Sequence, residues 1–365
     1  MREPSTDTSN CCPSPADREL PGYTLCSYVT AWIETEAGPV PQVSGRLTRR
    51  DLFGRWAMRW GFGRDRYRVT PGLYAIGNPS ADSPVLVSAN YKLSFDLLRR
   101  ETATLDAWIL VIDTKGINVW CAAGKGTFGT EEIIARVKAT DLDKVVSHRQ
   151  LIVPQLGAPG IAAHEVKKGC GFSVVYGPVR AEDLPAFLAA GNTATPQMRR
   201  VTFSTWERFI LTPVEVTILW KKILWALLAL FLLGGIGPDI FSLGAAWHRG
   251  LAAAAVGLSG VIAGAVITPV LLPWIPGRTF ALKGATTGGA IGLLGLIVMA
   301  GKLGFGNSLA GLLTLPAVSS FIAMNFTGSS TFTSPTGVEK EMRQAIPMQL
   351  AALLVAAVAF IWAGF

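Results

Sequence analysis

From about Trp220 onward the chain becomes a succession of long, uncharged apolar runs, and this change limits what the rest can be. Five runs approach the roughly 20 residues a helix needs to cross a hydrocarbon core. They are about Ile223 to Phe241, Leu251 to Leu272, Gly284 to Ala300, Ser308 to Phe326 and Met348 to Phe365. A mean hydropathy of +0.38 is too high for an ordinary soluble protein and agrees with a membrane part. Cations in the connections predict the orientation. Arg199, Arg200, Arg208, Lys221, Lys222, Arg278, Lys283, Lys340 and Arg343 fall on the side of the N-terminal part, against Arg249 and Lys302 on the other. The expectation is a multi-pass protein of the inner (cytoplasmic) membrane, with a cytoplasmic N-terminal domain and the C-terminus outside. Its expected parts are a flexible tail over 1–44, an α/β domain over 45–200, a juxtamembrane linker over 201–222 and five transmembrane helices over 223–365.

The first 20 residues are polar and proline-bearing, which predicts disorder, and no signal peptide is visible. "TRRDLFGRW" from Thr48 resembles a twin-arginine export motif, but Arg55, Arg59 and Arg64 interrupt the apolar stretch that should follow. Thr48 and Asp51 instead form a capping-box pattern, and Leu52, Trp56 and Trp60 recur at helical spacing among arginines. Two readings stand here: a surface helix packed on its own domain, which is the expectation, and a basic amphipathic helix lying on a membrane. Most of the net charge of +8 is accounted for by the flanks of the spans, so nucleic-acid binding is not expected.

Between Gly72 and Gly191, apolar runs at 84–89, 107–112, 150–154 and 172–177 alternate with helical stretches at 94–101, 130–139, 160–168 and 181–190. Repeated βα alternation predicts a mostly parallel sheet with helices on its faces. Ligands of such sheets sit at the carboxyl ends of the strands, here the loops starting at Ala89, Thr114, Pro154 and Gly177. The longest of these, about 15 residues, holds "GINVWCAAGKGTFGTEEI", and loops of that length are more often functional than structural. Cys121 is thereby placed in a candidate site.

Familiar uses of this loop fail on spacing. Gly124, Gly126 and Gly129 spell G-x-G-x-x-G, but about ten residues separate the first from Asp113 where a dinucleotide site needs none. A phosphate-binding P-loop fails because Val119 stands where its first glycine belongs and Gly126 follows Lys125. Thiol catalysis needs a base, and neither His148 nor His164 has a favourable spacing. The cysteines Cys11, Cys12, Cys26, Cys121 and Cys170 contain no C-x-x-C, which argues against a resident iron–sulfur cluster or structural zinc. Cys26 and Cys170 read as small core hydrophobes, and Cys11 with Cys12 as a pair without assigned function.

"NVWCAAGK", Asn118 to Lys125, resembles the signature of the corrinoid-protein family of bacterial and archaeal mercury methylation. Further stretches resembling that family are "PGLYAIGNPSADSPVLVSANYKLSFDLLR", "HRQLIVPQLGAPGIAAHEVKKGCGF", "VVYGPVRAEDLPAFLAAG" and "NFTGSSTFTSPTGVEKEM", so the likeness runs from about Gly45 to the C-terminus. The resemblance implies a Rossmann-like α/β domain, similar to the corrinoid-binding domain of the corrinoid iron–sulfur protein large subunit, followed by five transmembrane helices. It implies a cobalamin-type corrinoid, bound base-off, with the Cys121 thiolate as lower axial cobalt ligand. The alternative corrinoid signature D-x-H-x-x-G is absent around both His148 and His164, and a soft thiolate suits cobalt. The expected cofactor-binding residues are Asn90, Thr114, Asn118, Val119, Trp120, Cys121, Ala122, Ala123, Gly124, Lys125, Gln155, Gly157, Gly177 and Pro178, with Cys121 as the catalytic residue.

The activity so implied is methyl transfer from methylcobalt(III) corrinoid to Hg(II), giving methylmercury. The expected partners are a ferredoxin-like protein with two iron–sulfur clusters, as electron donor and source of Hg(II), a methyltetrahydrofolate-based methyl donor system, and membrane lipid. The apolar runs contain no cysteine and His248 is their only histidine, so they read as anchor and docking platform, with Gly234, Gly235, Gly257, Gly260, Gly264, Gly288 and Gly289 serving close helix packing. The alternative is a membrane corrinoid carrier or transporter subunit whose physiological substrate is not mercury.

Overall fold

The computed structural model describes residues 26–63, 67–299, 301–326 and 335–365. Cys11 and Cys12 lie outside the described residues. Two compact units divide the chain: the first runs to Val201 except for Arg59–Gly61, which group with the second, Thr202–Phe365.

The first unit is built on a seven-stranded sheet of order β1-β2-β3-β5-β4-β6-β7. Its strands are β1 (Val29–Thr35), β2 (Gly38–Val43), β3 (Gly72–Ile76), β4 (Val85–Ala89), β5 (Ala107–Ile112), β6 (Gln150–Val153) and β7 (Ser173–Tyr176). The block β5-β4-β6-β7 is parallel, as the βα alternation predicts. The sheet as a whole is mixed, because β3 runs antiparallel to β5 and β1 antiparallel to β2. Residues 29–43, assigned above to the tail, are thus two strands of the sheet. Every side chain of β4 and β5 is buried, which their near-continuous apolar composition requires of strands covered on both faces.

The helices are α1 (Arg49–Arg59), α2 (Lys92–Glu101), α3 (Val119–Gly124), α4 (Thr130–Ala139), α5 (Leu142–Val145), α6 (Ala163–Cys170) and α7 (Leu184–Ala189). Phe95 and Leu98 of α2 share one core with Leu184 and Phe187 of α7, while Ile133 and Val137 of α4 share the other with Val166 of α6. The crossover through α2 therefore uses one face of the sheet, and the crossovers through α4 and α6 the other.

The Thr48–Asp51 pattern caps α1 as read: the Asp51 N–H donates to Thr48 Oγ1 at 3.2 Å and Asp51 Oδ2 accepts from the Thr48 N–H at 2.9 Å. Asp51 is also buried, among charges that the sequence does not reveal as a group. Lys92 Nζ lies 2.7 Å from both Asp51 Oδ1 and Asp96 Oδ2, and Arg99 Nη2 lies 2.9 Å from Asp51 Oδ2 and 2.8 Å from Asp96 Oδ1. Two cations and two anions close a neutral cluster that clamps α1 to α2; buried charges persist only when paired in this way.

In the second unit the segment 201–222 is not a linker. Helix α8 (Thr205–Ile218) starts from Ser204 with a full capping box to Glu207, and α9 (Trp220–Leu233) follows it at a bend of 63°. Alone, α9 extends about 21 Å at 1.5 Å per residue, short of a hydrocarbon core. The first expected span, Ile223 to Phe241, is accordingly not one straight helix; residues 236–241 form a small two-stranded turn. Among the described residues four helices are long and apolar enough to cross a membrane: α10 (Leu243–Val270), α11 (Phe280–Val298), α12 (Phe305–Asn325) and the Gly337–Trp362 portion of α13 (Pro335–Trp362). The bent pair makes the number four or up to five.

Of the expected packing glycines, Gly264 and Gly288 have no room for a Cβ, which would lie 2.5 Å from the Ser319 carbonyl and 2.4 Å from that of Leu315. Gly284, which was not singled out, is equally tight, and Gly289 makes only ordinary contact with Pro316 at 3.9 Å.

Candidate functional site at the carboxyl ends of the parallel strands

The chain leaves β5 through a turn organised by one amide. The Oδ1 atom of Asn90, at the end of β4, accepts from the Thr114 N–H at 3.0 Å and the Gly116 N–H at 2.9 Å, and its Nδ2 donates to Asp113 Oδ1 at 2.9 Å. Asn90 and Thr114 are both buried, so they hold the turn rather than face a ligand. Lys115 and Gly116 follow in the left-handed region, with φ of 58° and 73°.

The stretch read as one long loop contains α3. Asn118 caps it, its side chain accepting from the Cys121 N–H at 2.9 Å. Ala122 and Ala123 form the inward face of α3, in the same core as Phe128 and Ile133. Val119 is half-buried against that core, Trp120 is 38% exposed, Cys121 is half-buried, and Gly124 and Lys125 are exposed. Two of the three glycines have backbone roles in place of a nucleotide fingerprint. Gly126 sits at φ 77°, and a Cβ on Gly129 would lie 2.8 Å from the Gly126 carbonyl oxygen.

A second turn, Gln155–Gly160 after β6, is pressed against the first. A Cβ on Gly157 would meet the Phe128 ring at 2.4 Å, and one on Gly160 would lie 2.1 Å from the Phe128 carbonyl oxygen. Gly157 is therefore a packing residue, buried beneath Phe128. Gln155 is tied to Arg199, whose Nη1 donates to its Oε1.

Above β4 and β6 lies a cavity of ≈ 330 Å³. Val87 and Ser88 of β4 and Ile152 of β6 form its floor, Ser94 and Leu98 of α2 one wall, and Asn118, Val119 and Trp120 another. Gly177 and Pro178 close it together with Arg180, which sequence reasoning missed although it follows β7 by four residues. Of the expected site residues, five line the cavity: Asn118, Val119, Trp120, Gly177 and Pro178. Cys121, Lys125 and Gln155 do not, and Cys121 stands on the next position of the same helical turn as Trp120. The cavity sits where β4 sends its chain to one face and β5 to the other, the place where open α/β sheets bind ligands.

The remaining candidates are engaged elsewhere. His148 Nδ1 accepts from the Gln150 N–H at 3.2 Å, which leaves Nε2 to donate to the Ser83 carbonyl at 2.9 Å. Cys170 Sγ donates to the Val166 carbonyl at 3.2 Å and Cys26 is buried in the core, both as read. Among the described residues no group of three or more His, Cys, Asp or Glu is placed to hold a metal ion.

Comparison with known proteins falls on this same unit. A family model described as CO dehydrogenase/acetyl-CoA synthase delta subunit matches residues 63–188. The likeness stops before the membrane helices. An acetyl-CoA decarbonylase/synthase complex subunit gamma of Methanopyrus kandleri is 36% identical over 127 residues, 34% of this chain and 27% of that protein. The corrinoid/iron-sulfur protein large subunit of Moorella thermoacetica is 32% identical over 125 residues, again 34% of this chain and 28% of that protein. The chain thus spans little more than a quarter of the length of these relatives.

Proposed function

We propose that the α/β unit binds a cobalamin-type corrinoid in base-off form, with the Cys121 thiolate as lower axial ligand to cobalt, and that the chain is a corrinoid-dependent methyltransferase acting on Hg(II) as substrate. The observation that carries this reading is the capped helix α3, which presents Cys121 beside an apolar cavity at the strand ends, within the segment that the family model matches. The residues fit such a group. A Cβ on Gly124 would meet nothing within 4 Å, so a flat macrocycle approaching the exposed side of α3 finds backbone and open space there. The cavity, lined mainly by aliphatic side chains, accepts an apolar portion of a ligand and offers Asn118, Ser88, Ser94 and Arg180 for its polar groups.

When bound, the corrinoid supplies a cobalt centre that carries a methyl group between donor and acceptor. The chain's own contribution is positional. Asn118 fixes the Cys121 backbone; Val119 and Trp120 shield the sulfur side from water; Lys125 meets an anionic substituent at the rim. Asn90, Thr114, Ala122, Ala123 and Gly157 hold the frame, Gly177 and Pro178 bound the crevice, and Gln155 stands outside its lining, tied to Arg199. The Cys121 thiolate would hold the cobalt of such a group, a soft anionic sulfur suiting that metal. Electrons come from a ferredoxin-like protein with two iron–sulfur clusters, and methyl groups from a methyltetrahydrofolate-based system. The helical unit anchors the assembly, with the α/β unit in the cytoplasm and the C-terminus outside.

The test is Cys121→Ala and Cys121→Ser in the full chain, compared with the unsubstituted protein at matched levels. Methylmercury formation should be lost in both, with a changed cobalt absorption spectrum and a retained fold. An alanine variant with an unchanged spectrum and near-normal methylation would sink the thiolate assignment.

A further inference from the structure

The arginine-rich helix α1 presents an apolar face to the outside. Asp51 and Met58 point inward and are 3% exposed, while Leu52, Phe53 and Trp56 on the opposite side are 52%, 69% and 56% exposed. Phe62, just beyond the helix, is 63% exposed. The Phe53 and Trp56 rings lie with centroids 6.3 Å apart and form one continuous surface. At 100° per residue Arg49 projects within this face, with Arg50 beside Phe53 and Arg59 beside Leu52. The helix does pack on its own domain, through Met58 in the core and through the cluster of Asp51 with Lys92 and Arg99, but its larger apolar side chains stay on the outside.

We propose that the outward face of α1 is a membrane-surface contact, seated on anionic phospholipid. An aromatic and aliphatic face bordered by arginines matches the boundary between headgroups and acyl chains, where the rings enter the apolar edge and the guanidinium groups meet phosphate. Charge favours this occupant, because α1 carries four arginines and its single acid is turned inward. The same chain carries four helices able to cross a bilayer, so a lipid surface is always at hand. The ion cluster gives the contact its orientation: α1 cannot roll its apolar face inward without unburying Asp51. This inference is independent of the corrinoid reading and would stand if Cys121 bound nothing.

The experiment uses the full chain with p-benzoylphenylalanine in place of Phe53, reconstituted into vesicles of phosphatidylcholine alone or with phosphatidylglycerol. The same photoprobe at Glu36, exposed in the turn between β1 and β2, is the control. Irradiation should give phospholipid adducts at position 53 well above those at position 36, and more in the anionic vesicles. Arg49→Glu with Arg50→Glu should lower that yield, by roughly fivefold for each arginine contact removed. Position 53 giving no more lipid adduct than position 36, or only adducts to a second copy of the chain, would overturn the proposal.

Discussion

The two units neutralise their buried and half-buried cations in opposite ways. In the α/β unit, Lys92 and Arg99 are matched by the side chains of Asp51 and Asp96. In the helical unit the partners are backbone carbonyls. Arg208 Nη2 donates to Val270 O at 3.0 Å, Lys283 Nζ to Leu272 O at 2.7 Å, and Arg249 Nη2 to Phe360 O at 2.6 Å. Val270 ends α10, Leu272 lies two residues beyond it, and Phe360 is in the last turn of α13, where carbonyls lack an intrahelical partner and carry the negative end of the helix dipole. A carboxylate would bring a second charge to be desolvated; an orphan carbonyl already needs a donor. Apolar surroundings therefore favour the carbonyl solution, and it leaves few acids in the spans. It also gives Arg208 and Lys283, read from sequence only as topology signals, a part in joining helices.

The largest expected break in this contrast is Asp96→Asn. It leaves Lys92 and Arg99 sharing one carboxylate in a buried site, and should cost about 3–5 kcal/mol in denaturant unfolding of the α/β unit within the full chain.

Acid should act on the same cluster more gradually. Burial alone would raise the Asp51 carboxyl, but hydrogen bonds from Lys92 and the Thr48 N–H outweigh it and hold the group far below the usual carboxylate range. A depressed folded value means that the stability is fully present above the unfolded value of about 4 and is lost as pH falls below it. Unfolding followed from pH 6 to pH 3 should therefore show the α/β unit weakening below about pH 4. The helical unit, whose cations face carbonyls, should hold. Equal weakening of both would remove the distinction.

Smaller is the effect of Lys283→Met, which removes the cation at the end of α10. A loss of about 1–2 kcal/mol is expected, read by unfolding of the full chain in bicelles, with the α/β unit unchanged.

Smallest is Asn118→Ala, the loss of a helix cap, at about 1 kcal/mol. Its more telling readout is spectroscopic. If Asn118 positions Cys121, the cobalt absorption of the loaded protein should broaden or shift while the fold persists, and Asn118→Asp, which can still accept from the Cys121 N–H, should restore it.

What the sequence disclosed follows from where its signals are local. The buried parallel strands β4 to β7 and their helices announce themselves as uniform apolar runs alternating with amphipathic ones, and the observed bounds lie close to those read. Strands β1 and β2 do not: Pro39 and Pro41 and the polar alternation of "VTAWIET" read as loop, and only pairing with β3 makes them sheet. Helix α3 has six residues, too few for periodicity to register. The apolar run after Trp220 is continuous in composition, yet the turn after Leu233 divides it. Cys121 was visible as a lone thiol in an unusual segment. The cavity beside it was not, because Ser88, Ser94 and Arg180 come from three separate segments that only the sheet brings together.

The contact of Phe128 with Gly157 and Gly160 bears on timing as well as on packing. It joins the turn that carries Cys121 to the turn after β6, with no space between them for either to shift alone. The backbone of the turn is therefore held by packing alone, and on the proposed reading little ordering would remain to slow or weaken capture of a ligand. The turn should behave as a fixed socket, with loading governed by how fast the ligand sheds its previous partner and hardly at all by motion of the chain.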